Sequence, residues 1–394
     1  MAGELPTLQM VLRPGIIDLG WGHPDPALMP VDLLREATSA TLAKSGADAL
    51  AYGTARGPGP LVAWLMERIG RTEGRTPTPE ELLITAGNSH GLDQFCEYHT
   101  RPGDVALVES PTYHLAVKIL RDHPLRLVPV PLDRDGLRID ALEATLATLR
   151  REGHRPRFLY TIPTYHNPTG VCLSLERRRA LIDLAVAEDF LIVEDDVYRE
   201  LSYDGPSPPS LWSMAPVGRV TRLGSFAKSL APGLRLGWAT GDPAMVARLV
   251  DGGMLDSGGG LNHFTAMTTA TLCESGGFDR QAARLRDAYR AKRDALHAAM
   301  MEHLPPGCSG KLPGGGFFIW LRLPKGMNAE ALLPRAEALG SAYAPGNRFH
   351  LDDGGEEAAR LAFSYYDIPN LTESVRLLGD AIRALPNWRL TTDD

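Results

Sequence analysis

The chain has 394 residues, of which 44% are hydrophobic and 23% are charged, and its formal net charge is −7. Such a composition is typical of a globular protein with a large core and two subdomains, and it excludes disordered and fibrous chains. The acidic balance provides no basic field for phosphates, so we expect no nucleic-acid partner. The opening residues lack a signal-peptide pattern, and no apolar run reaches the ~20 residues of a membrane span. We therefore expect a cytoplasmic protein that does not enter a membrane.

The four cysteines stand far apart and include no C-x-x-C pair, so they predict neither a disulfide framework nor a zinc site, and we expect no metal. We expect these four residues to be buried as small apolar side chains: Cys96, Cys172, Cys273 and Cys308. The basic run Arg177 to Arg179 is expected on a solvated helix face.

Short apolar runs recur along the first two thirds of the chain, with helical patterns between them. They are LLITA at 82–86, VALVE at 105–109, RLVPV at 126–130, RFLYTI at 157–162, FLIVE at 190–194, VTRLG at 220–224 and LRLGW at 234–238. This alternation predicts an α/β core with a largely parallel sheet that helices cover on both faces. In such a sheet we expect the chemistry at the strand ends.

The pattern changes after about residue 280. A long charged helix, FDRQAARLRDAYRAKRDALHAAM, is followed by GGGFFIWLRL, a helix around ALLPRAEAL and a late RLAFSYY. These segments predict a smaller α+β domain that the long helix joins to the rest. We expect residues 46–280 to form the large domain and residues 281–394 the small one, with residues 1–45 packing against the small domain.

The turn from Gly87 to Gly91 lies between a predicted strand and a predicted helix. Its G-x-S-x-G pattern matches the nucleophile elbow of serine hydrolases. The same geometry directs free amides from a helix start, which makes a phosphate site, and a plain structural turn is a third interpretation. A second serine motif, S-x-x-K from Ser225 to Lys228, matches penicillin-binding proteins, but neither S-D-N nor K-T-G occurs in the chain.

Two further strand ends carry polar residues. VEDDVY at 193–198 places Asp195 and Tyr198 near the end of a buried strand. Asp195 and Asp196 point in opposite directions on an extended backbone, so we expect one of them to face a site. A solvated acidic loop is the alternative interpretation of these residues alone. IPTYHNPTG at 162–170 ends another strand in a turn that fixes Asn167, and by itself it predicts only a turn.

Taken in this order, the segments resemble the fold-type I pyridoxal phosphate enzymes, specifically the class I/II aminotransferases of the kynurenine and 2-aminoadipate aminotransferase kind. The similarity runs from GHPDPALMP at 22–30 to RLAFS at 360–364, and SFAKSLAPGLRLG is its most specific part. The other matching segments are YG at Tyr52, ESPTY ending at Tyr113, HNPTG, EDDVY and PGGGFFIW at 313–320. The resemblance implies a large domain with a mostly parallel seven-stranded sheet and a smaller α+β domain.

The resemblance also implies which residues hold the ring of the cofactor, pyridoxal 5'-phosphate. Lys228 would form the Schiff base with its aldehyde, where nearby cations and desolvation lower the pKa of the amine. Asp195 would pair with the pyridine nitrogen and keep it protonated, so that the ring can accept electrons from the substrate. Asn167 and Tyr198 would contact the ring hydroxyl oxygen, and Tyr113 would stack on the ring face.

The remaining implied roles concern the phosphate, the substrate and a second subunit. The residues expected at the phosphate are Asn88, Ser89, His90, Ser225 and Arg235. Tyr52 would reach the phosphate of the neighbouring subunit, so we expect a homodimer. Arg360 would bind the substrate α-carboxylate as a bidentate fork, and Gly22 and Asn167 would also line the substrate site.

The reaction expected from the resemblance is transfer of an amino group from an L-amino acid to a 2-oxo acid, with 2-oxoglutarate as the expected acceptor. Elimination, decarboxylation or cyclisation of an amino acid on the same scaffold is the alternative, and the cofactor motifs do not separate these reactions. A cofactor-sensing transcription regulator is a further alternative, and we expect none because GHPDP begins at residue 22 without a preceding helix-turn-helix.

Substrate choice depends on residues outside the cofactor motifs. Without a clearly placed second arginine, we expect aromatic or aliphatic substrate side chains. The candidates for shaping their pocket are Trp21, His23, Arg56, His90 and Asn262. Three departures from the family pattern bear on this region: Ala227 stands where Ser or Thr is frequent, His90 replaces a commoner Gln or Ala, and SGGGLNHF at 257–264 is unusually rich in glycine.

Overall fold

The structure is a computed structural model, and it describes residues 8–385 of the chain. Residues 1–7 and 386–394, the outer ends of the predicted first and third segments, lie outside the described residues. The helices are α1 Val31–Ser45, α2 Gly59–Glu73, α3 Asn88–His99, α4 His114–Asp122, α5 Ile139–Arg151, α6 Leu175–Ala187, α7 Leu211–Met214, α8 Pro243–Val250, α9 Gly253–Gly258, α10 His263–Glu274, α11 Gly277–His303, α12 Ala329–Leu339 and α13 Ile368–Arg383. The strands are β1 Ile17–Asp18, β2 Leu82–Thr85, β3 Val105–Ser110, β4 Arg126–Asp133, β5 Gly136–Leu137, β6 Pro156–Thr161, β7 Leu191–Asp195, β8 Val220–Ser225, β9 Gly237–Thr240, β10 Phe318–Arg322, β11 Ser341–Ala342, β12 Ala344–Pro345 and β13 Ala358–Ala362.

The largest sheet has the strand order β2-β9-β8-β7-β6-β3-β4-β5. Strands β8, β7, β6, β3 and β4 are parallel neighbours, whereas β9 is antiparallel to both β2 and β8. This arrangement confirms the predicted α/β core with a mostly parallel sheet. Beyond the seven predicted strands, β5 adds a two-residue antiparallel edge to β4, which is too short for an apolar pattern to reveal it.

The last predicted strand of this sheet begins later than expected. Residues 234–238 were the predicted run, but β9 starts at Gly237. Pro232–Leu234 form a 3-10 helix, and Arg235 then adopts a left-handed conformation with φ 46°. This turn moves the start of the strand to Gly237, so the chain rejoins the sheet nine residues after Lys228.

A second core surrounds the small antiparallel sheet β10-β13-β12. Helices α11 and α13 pack against each other beside it, and the buried side chains of this core include Phe317, Phe318, Phe363 and Tyr289. The long charged helix that the sequence predicts is α11, whose buried residues recur along one face. These elements position Arg360, in the middle of β13, against the end of the large sheet.

The packing of the first 45 residues differs from the expectation. Residues 17–19 join the small part of the structure, because β1 pairs in parallel with β11 and the Leu19 carbonyl accepts from the Ala362 amide at 2.7 Å. Helix α1, in contrast, packs on α10, where the Thr41 hydroxyl donates to Thr271 at 2.8 Å, and Ala37 belongs to the core of the large sheet. Residues 17–19 therefore pack with the small part of the structure, as expected for the whole segment, whereas α1 packs with the large sheet.

The run Arg177 to Arg179 corrects a second expectation. Ser174 caps α6 by accepting from the Arg177 amide, and Arg179 is exposed, as predicted. Arg178, however, has no exposed surface, and its guanidinium donates to the carbonyls of Leu173 at 2.9 Å and Pro163 at 2.6 Å. A basic run does not reveal which member turns inward, and here the buried arginine satisfies carbonyls of the loop after β6.

Candidate active site

The carboxyl ends of the parallel strands meet at one edge of the large sheet, and the predicted site residues follow them. Asp195 is the last residue of β7, Lys228 lies three residues after β8, and Asn167 lies in the loop after β6. Tyr113 follows β3 and precedes α4, and Asn88 begins α3 after β2. The structure therefore brings residues from five separate segments to one edge.

Lys228 lies between the large sheet and the segment that contains Gly22. Its half-buried amine donates to the Gly22 carbonyl at 3.1 Å and stands 5.5 Å from the centre of the Phe317 ring. Burial, followed by the charges of Arg360 and Arg235, lowers the pKa of Lys228 to about 8, although Asp195 opposes this shift. The amine can therefore lose its proton near neutral pH, which a nucleophile and proton carrier requires.

Asp195 is buried, with 7% of its surface exposed, and each of its carboxylate oxygens accepts one hydrogen bond. Asn88 Nδ2 donates to Oδ1 at 2.7 Å, and the Tyr160 hydroxyl donates to Oδ2 at 2.7 Å. Burial raises the pKa of Asp195 to about 6, against the lowering effect of these two hydrogen bonds. The carboxylate is thus oriented at the sheet edge by neutral donors.

The start of α3 and the Arg235 side chain form the other end of the site. Gly87, with φ 88°, precedes the first turn of α3, and a Cβ at this position would lie 3.1 Å from Arg235 Nη2. The Arg235 guanidinium makes only long contacts with carbonyls in the described residues, 3.4 Å to Pro232 and 3.5 Å to Ala86. The Ser225 hydroxyl accepts from the Ala227 amide at 3.0 Å. The free amides at the start of α3 and a guanidinium with only long hydrogen bonds together favour binding of an anion here.

Both hydrogens of Asn88 Nδ2 are occupied, because this atom donates to Leu223 O at 3.0 Å as well as to Asp195. The Asn88 side chain therefore has no donor left for a phosphate, and only its backbone amide remains available. Ser89 is exposed at the helix start. His90 is partly buried, and neither of its ring nitrogens has a hydrogen-bond partner within residues 8–385.

Arg360 crosses from the small sheet to the loop after β6. Its Nη1 donates to Asn167 Oδ1 at 2.8 Å, and its Nη2 donates to the Gly20 carbonyl. The guanidinium lies 4.2 Å from the centre of the Phe318 ring and 4.7 Å from that of Phe349. Burial lowers the pKa of Arg360 to about 10, a value at which the side chain is still charged at neutral pH.

Two tyrosines complete the interior of the site. Tyr198 is buried and packs edge-on against Phe317 and Phe318, and burial raises the pKa of its hydroxyl. Tyr113 is half-buried next to the start of α4, and burial, then Asp195, raises the pKa of its hydroxyl. Both hydroxyls are therefore protonated at neutral pH and are available as donors.

Tyr52 is 87% exposed, in a segment that the glycine-rich stretch holds in place. A Cβ on Gly259 would lie 2.8 Å from the Gly53 carbonyl, and one on Gly260 would lie 2.1 Å from the Thr54 carbonyl. The stretch also reaches the end of the site at the α3 start and Arg235, where Asn262 Nδ2 donates to the Arg235 carbonyl. The glycines at 257–264 thus permit the close approach that joins the Tyr52 segment to the Arg235 turn.

Three of the residues proposed to shape a substrate pocket, Trp21, His23 and Arg56, lie in two different places. Trp21 and His23 lie on the chain start beside Lys228, with ring centres 5.5 Å apart, and burial, then Lys228 and Arg360, lowers the pKa of His23. Arg56 instead donates to the carbonyls of Pro79 and Leu82 at 2.9 and 3.0 Å. Arg56 therefore braces the start of β2, and this structure does not place it in the pocket.

Sequence reasoning missed Tyr160 and the aromatic pair beside Arg360. Tyr160 lies inside the run RFLYTI, where it reads as one more buried strand residue. Tyr160 directly precedes Thr161, the last residue of the strand, and alternation places the two side chains on opposite faces of the sheet, which was the available signal. Phe349 is the last residue of a 3-10 helix in the small part of the chain, and no pattern connects it with Phe318 before the fold is known.

Comparisons with known proteins agree with this geometry. Residues 14–373 match the model of the family described as aminotransferase class I and II. The aromatic-amino-acid aminotransferase 1 of Thermococcus litoralis is 34% identical over 95% of this chain and 90% of its own. The chain belongs to the class I and II aminotransferases.

Two solved members of the family are similar over nearly the whole chain. The kynurenine aminotransferase of Pyrococcus horikoshii, in complex with PMP, has a TM-score of 0.89 at 33% identity, with 94% of this chain and 91% of that chain covered. The α-aminoadipate aminotransferase LysN of Thermus thermophilus, complexed with N-(5'-phosphopyridoxyl)-L-leucine, has a TM-score of 0.84 at 35% identity, with 94% and 92% covered. The protein therefore has the type I fold of pyridoxal phosphate enzymes, and it is an aminotransferase whose cofactor is pyridoxal phosphate.

The residues of this aminotransferase fit that cofactor. A phosphate beside the first turn of α3 would provide acceptors for the α3 amides and for the Arg235 guanidinium, whose present contacts are 3.4 and 3.5 Å long. Asp195 offers a buried carboxylate for a ring nitrogen, and Lys228 offers an amine with a lowered pKa for an aldehyde. None of the helices over residues 8–385 is both long enough and apolar enough to cross a membrane.

Proposed function

We propose that this aminotransferase takes the amino group from L-amino acids with apolar or aromatic side chains and passes it to 2-oxoglutarate. The observation that carries this proposal is the setting of Arg360, whose guanidinium lies 4.2 Å from the Phe318 ring centre and 4.7 Å from the Phe349 ring centre. These rings lie close to the guanidinium, which can bind a carboxylate with two parallel hydrogen bonds. Apolar walls beside that plane favour apolar substrate side chains.

The names of the relatives support this substrate class. One is an aromatic-amino-acid aminotransferase, and the solved relatives include a kynurenine aminotransferase and an α-aminoadipate aminotransferase that is complexed with a phosphopyridoxyl-leucine. The acceptor 2-oxoglutarate carries two carboxylates, and its α-carboxylate would use Arg360 in the same way. His23 and Trp21 lie near Lys228, on the side where a substrate side chain would extend.

In the proposed mechanism, pyridoxal phosphate supplies a ring that accepts the electron pair released at the substrate α-carbon. Lys228 would hold the cofactor covalently before the substrate arrives; once the substrate amine displaces it, the freed Lys228 amine would take the proton from the substrate α-carbon. Because the pKa of Lys228 is about 8, a useful fraction of the amine is neutral at physiological pH. Asp195 holds a proton on the ring nitrogen, and Arg360 fixes the substrate carboxylate so that the α-hydrogen faces Lys228.

The remaining site residues are proposed to orient the cofactor. Asn167 and Tyr198 would contact the ring hydroxyl oxygen, while Tyr113 would cover the ring face. The phosphate would be held by Ser225, Arg235 and the backbone amides of Asn88, Ser89 and His90. Gly22 stands beside the substrate, where a Cβ would lie 2.5 Å from the Phe318 ring, so only glycine permits its carbonyl to approach Lys228.

We also propose that the active unit is a cytoplasmic homodimer in which Tyr52 reaches the phosphate of the neighbouring subunit. Tyr52 is 87% exposed and Leu50 is 68% exposed on the same segment, and a second copy would cover both. Complementation tests this arrangement. A mixture of Lys228→Ala and Tyr52→Ala chains would regain activity, because one site of the mixed dimer would contain both Lys228 and Tyr52. No recovery after subunit exchange would place Tyr52 in its own subunit's site or outside it.

The substrate proposal is tested by mixing the holoenzyme with a panel of amino acids and recording the spectral change of the bound cofactor. We expect fast changes with leucine, phenylalanine and kynurenine and slow ones with aspartate and lysine. Released 2-oxo acids and the preferred acceptor are identified by mass spectrometry. A preference for acidic or basic donors would contradict the apolar setting around Arg360.

We propose, finally, that residues 46–280 form a large cofactor-binding domain and residues 281–394 a small one, with α11 linking them. Separate hydrophobic cores support this division, two of them on the eight-stranded sheet and one around β10-β13-β12. Arg360 lies on the small sheet and its partner Asn167 on a loop of the large one, at 2.8 Å. The site is therefore assembled from both proposed domains.

A further inference from the structure

The Asp195 carboxylate has one neutral hydrogen-bond donor on each oxygen, Asn88 Nδ2 on Oδ1 and the Tyr160 hydroxyl on Oδ2, both at 2.7 Å. We propose that Asn88 and Tyr160 are positioning residues, which together hold this carboxylate in the orientation that keeps a proton on the cofactor's ring nitrogen. The inference rests on the role proposed above for Asp195. The Asn88 side chain then orients Asp195 and does not bind the phosphate, and Tyr160 shares this positioning role.

The sheet register explains why Tyr160 reaches Asp195. In the parallel pair of β6 and β7, Tyr160 lies opposite Val193, two residues before Asp195. Side chains two residues apart on a strand share one face, so Tyr160 and Asp195 are diagonal neighbours on the same face of the sheet. Tyr160 has no exposed surface, and burial raises the pKa of its hydroxyl well above the usual value. The hydroxyl therefore stays protonated and can donate, and its ring is fully buried.

Asn88 is held as firmly by a different arrangement. It is the first residue of α3, and its Nδ2 donates both to Asp195 Oδ1 and to the Leu223 carbonyl at 3.0 Å. Both partners are acceptors, so turning the amide over would place its own oxygen against two oxygens. The amide is thus restricted to one orientation. Leu223 lies opposite Asp195 in the pair of β7 and β8, which places this second contact beside the carboxylate.

The neutrality of both donors matters for the chemistry. Asn88 and Tyr160 direct the carboxylate without supplying a positive charge, and the folded protein leaves the pKa of Asp195 raised, at about 6. A carboxylate that is oriented but lacks an adjacent cation gains most from a protonated ring nitrogen. A lysine or arginine in place of either donor would orient Asp195 as well, but its charge would compete with the ring nitrogen for the carboxylate.

The test uses the holoenzyme reconstituted with pyridoxal phosphate that carries ¹⁵N in the ring. The ¹⁵N chemical shift reports protonation of the ring nitrogen, and the ³¹P shift reports the phosphate environment separately. The variants are Tyr160→Phe and Asn88→Ala, with Asp195→Asn as the reference for complete loss. Thr161→Val is the matched control, because the buried Thr161 hydroxyl on the same strand donates at 2.7 Å to a different carboxylate, Glu109.

We expect Tyr160→Phe and Asn88→Ala each to shift the ¹⁵N signal part of the way towards that of Asp195→Asn, with the ³¹P signal unchanged. Each loses one hydrogen bond to a charged group, so kcat/KM should fall roughly 10- to 100-fold and the cofactor Kd should rise about tenfold. Thr161→Val should lower the unfolding temperature but leave both signals in place. Asn88 is half-buried at a helix start, so Asn88→Ala decides the question if Tyr160→Phe fails to fold.

Two results would overturn the inference in different ways. If Asp195→Asn abolishes ring protonation while Tyr160→Phe and Asn88→Ala keep the wild-type ¹⁵N shift and kcat/KM within about twofold, the two residues are structural only. If Asp195→Asn itself leaves the ring nitrogen protonated, the role proposed for Asp195 is wrong and the positioning role falls with it.

Discussion

Asp195 and Asp196 are adjacent residues at the end of β7, yet they face opposite sides of the large sheet and have opposite electrostatic surroundings. Asp195 faces the site, where two neutral groups hold it and burial raises its pKa to about 6. Asp196 faces away, where its Oδ2 accepts from Arg199 and from Arg222, the latter at 2.8 Å. Despite burial, the charges of these two arginines lower the pKa of Asp196.

The cluster behind the sheet continues beyond Asp196. Glu73, on α2, pairs with Arg222, and the charges of Arg222 and Arg199 lower its pKa against the effect of burial. The Arg222 guanidinium also lies 4.8 Å from the centre of the Trp238 ring. Two carboxylates and two guanidinium groups thus neutralise each other in the interior, which is the arrangement that makes the loss of one partner costly.

The difference between the two faces separates function from stability within two consecutive residues. On the Asp196 face the carboxylates of Asp196 and Glu73 are paired with Arg199 and Arg222, so that face joins α2 to the sheet. On the Asp195 face the carboxylate is oriented but has no neighbouring cation in direct contact within the described residues, so it is prepared for a ligand that brings one. Extended backbone produces this separation, because successive side chains point to opposite faces.

The largest expected effect comes from the two cations on either side of the sheet. Lys228→Ala should reduce kcat by about 10⁴-fold or more, because the nucleophile and the proton carrier are lost together. Its unfolding temperature should change little. Arg222→Ala should do the reverse, with a clear loss of stability and residual turnover in the fraction that folds. Steady-state kinetics and calorimetry on both variants check this, and full turnover by Lys228→Ala would refute the proposed site.

The adjacent carboxylates provide the next comparison. Asp195→Asn should lower kcat/KM roughly 10²- to 10³-fold, because preorganised electrostatic stabilisation at the ring nitrogen is lost. Asp196→Asn should instead cost about 3–5 kcal/mol of unfolding free energy, since Arg199 and Arg222 would remain buried without their partner. Denaturant titration and kinetics on the two isosteric variants measure both quantities. Equal stability losses in the two variants would show that the faces are not divided as described.

The pH dependence of stability should also differ in sign between the faces. The folded pKa of Asp195 is raised from 3.8 to about 6, so the folded apoprotein binds a proton more tightly and loses stability as pH rises across this window. The total is about 3 kcal/mol. Asp196 and Glu73 have lowered pKa values, so their contribution is present above pH ~4 and is lost only as pH falls through their folded pKa values.

We therefore expect the apoprotein variant Asp195→Asn to be more stable than the wild type at pH 8, and this advantage should disappear near pH 4. The measurement is denaturant unfolding of both apoproteins at several pH values. Asp196→Asn serves as the control, and it should be less stable than the wild type at pH 8. A stability advantage of Asp195→Asn that does not depend on pH would show that Asp195 is ionised normally in the apoprotein.

The alternation at Asp195 and Asp196 could be predicted from the sequence, because it follows from the geometry of a strand alone. The partners Asn88, Tyr160 and Arg222 could not, since they come from α3, β6 and β8, which only the folded sheet brings together with β7. Tyr160 was hidden for this reason inside an apolar run. Asn88 was predicted near the cofactor from the family resemblance, but the direction of its amide depends on two acceptors from other strands.

The glycine-rich stretch at 257–264 is a second region whose contacts could not be predicted from the sequence. Its richness in glycine was only a departure from the family pattern, and the structure shows where glycine is needed, at the contacts of Gly259 and Gly260 with the Tyr52 segment. Arg178 could not be assigned by composition at all, because a basic run contains nothing that marks the member facing the loop carbonyls. Sequence patterns thus predict elements and their edges well, and long-range partners poorly.

The smallest expected effect concerns the cations that act on Lys228. Burial comes first in lowering its pKa to about 8, followed by the charge of Arg360 and then that of Arg235. In the apoprotein, Arg360→Met should therefore raise the midpoint of Lys228 acylation, measured by peptide mass mapping across pH, and Arg235→Met should raise it less. Arg222→Met removes a cation from the opposite face of the sheet and should leave the midpoint unchanged. A shift with Arg222→Met as large as that with Arg360→Met would mean that the sheet does not separate the two charge systems.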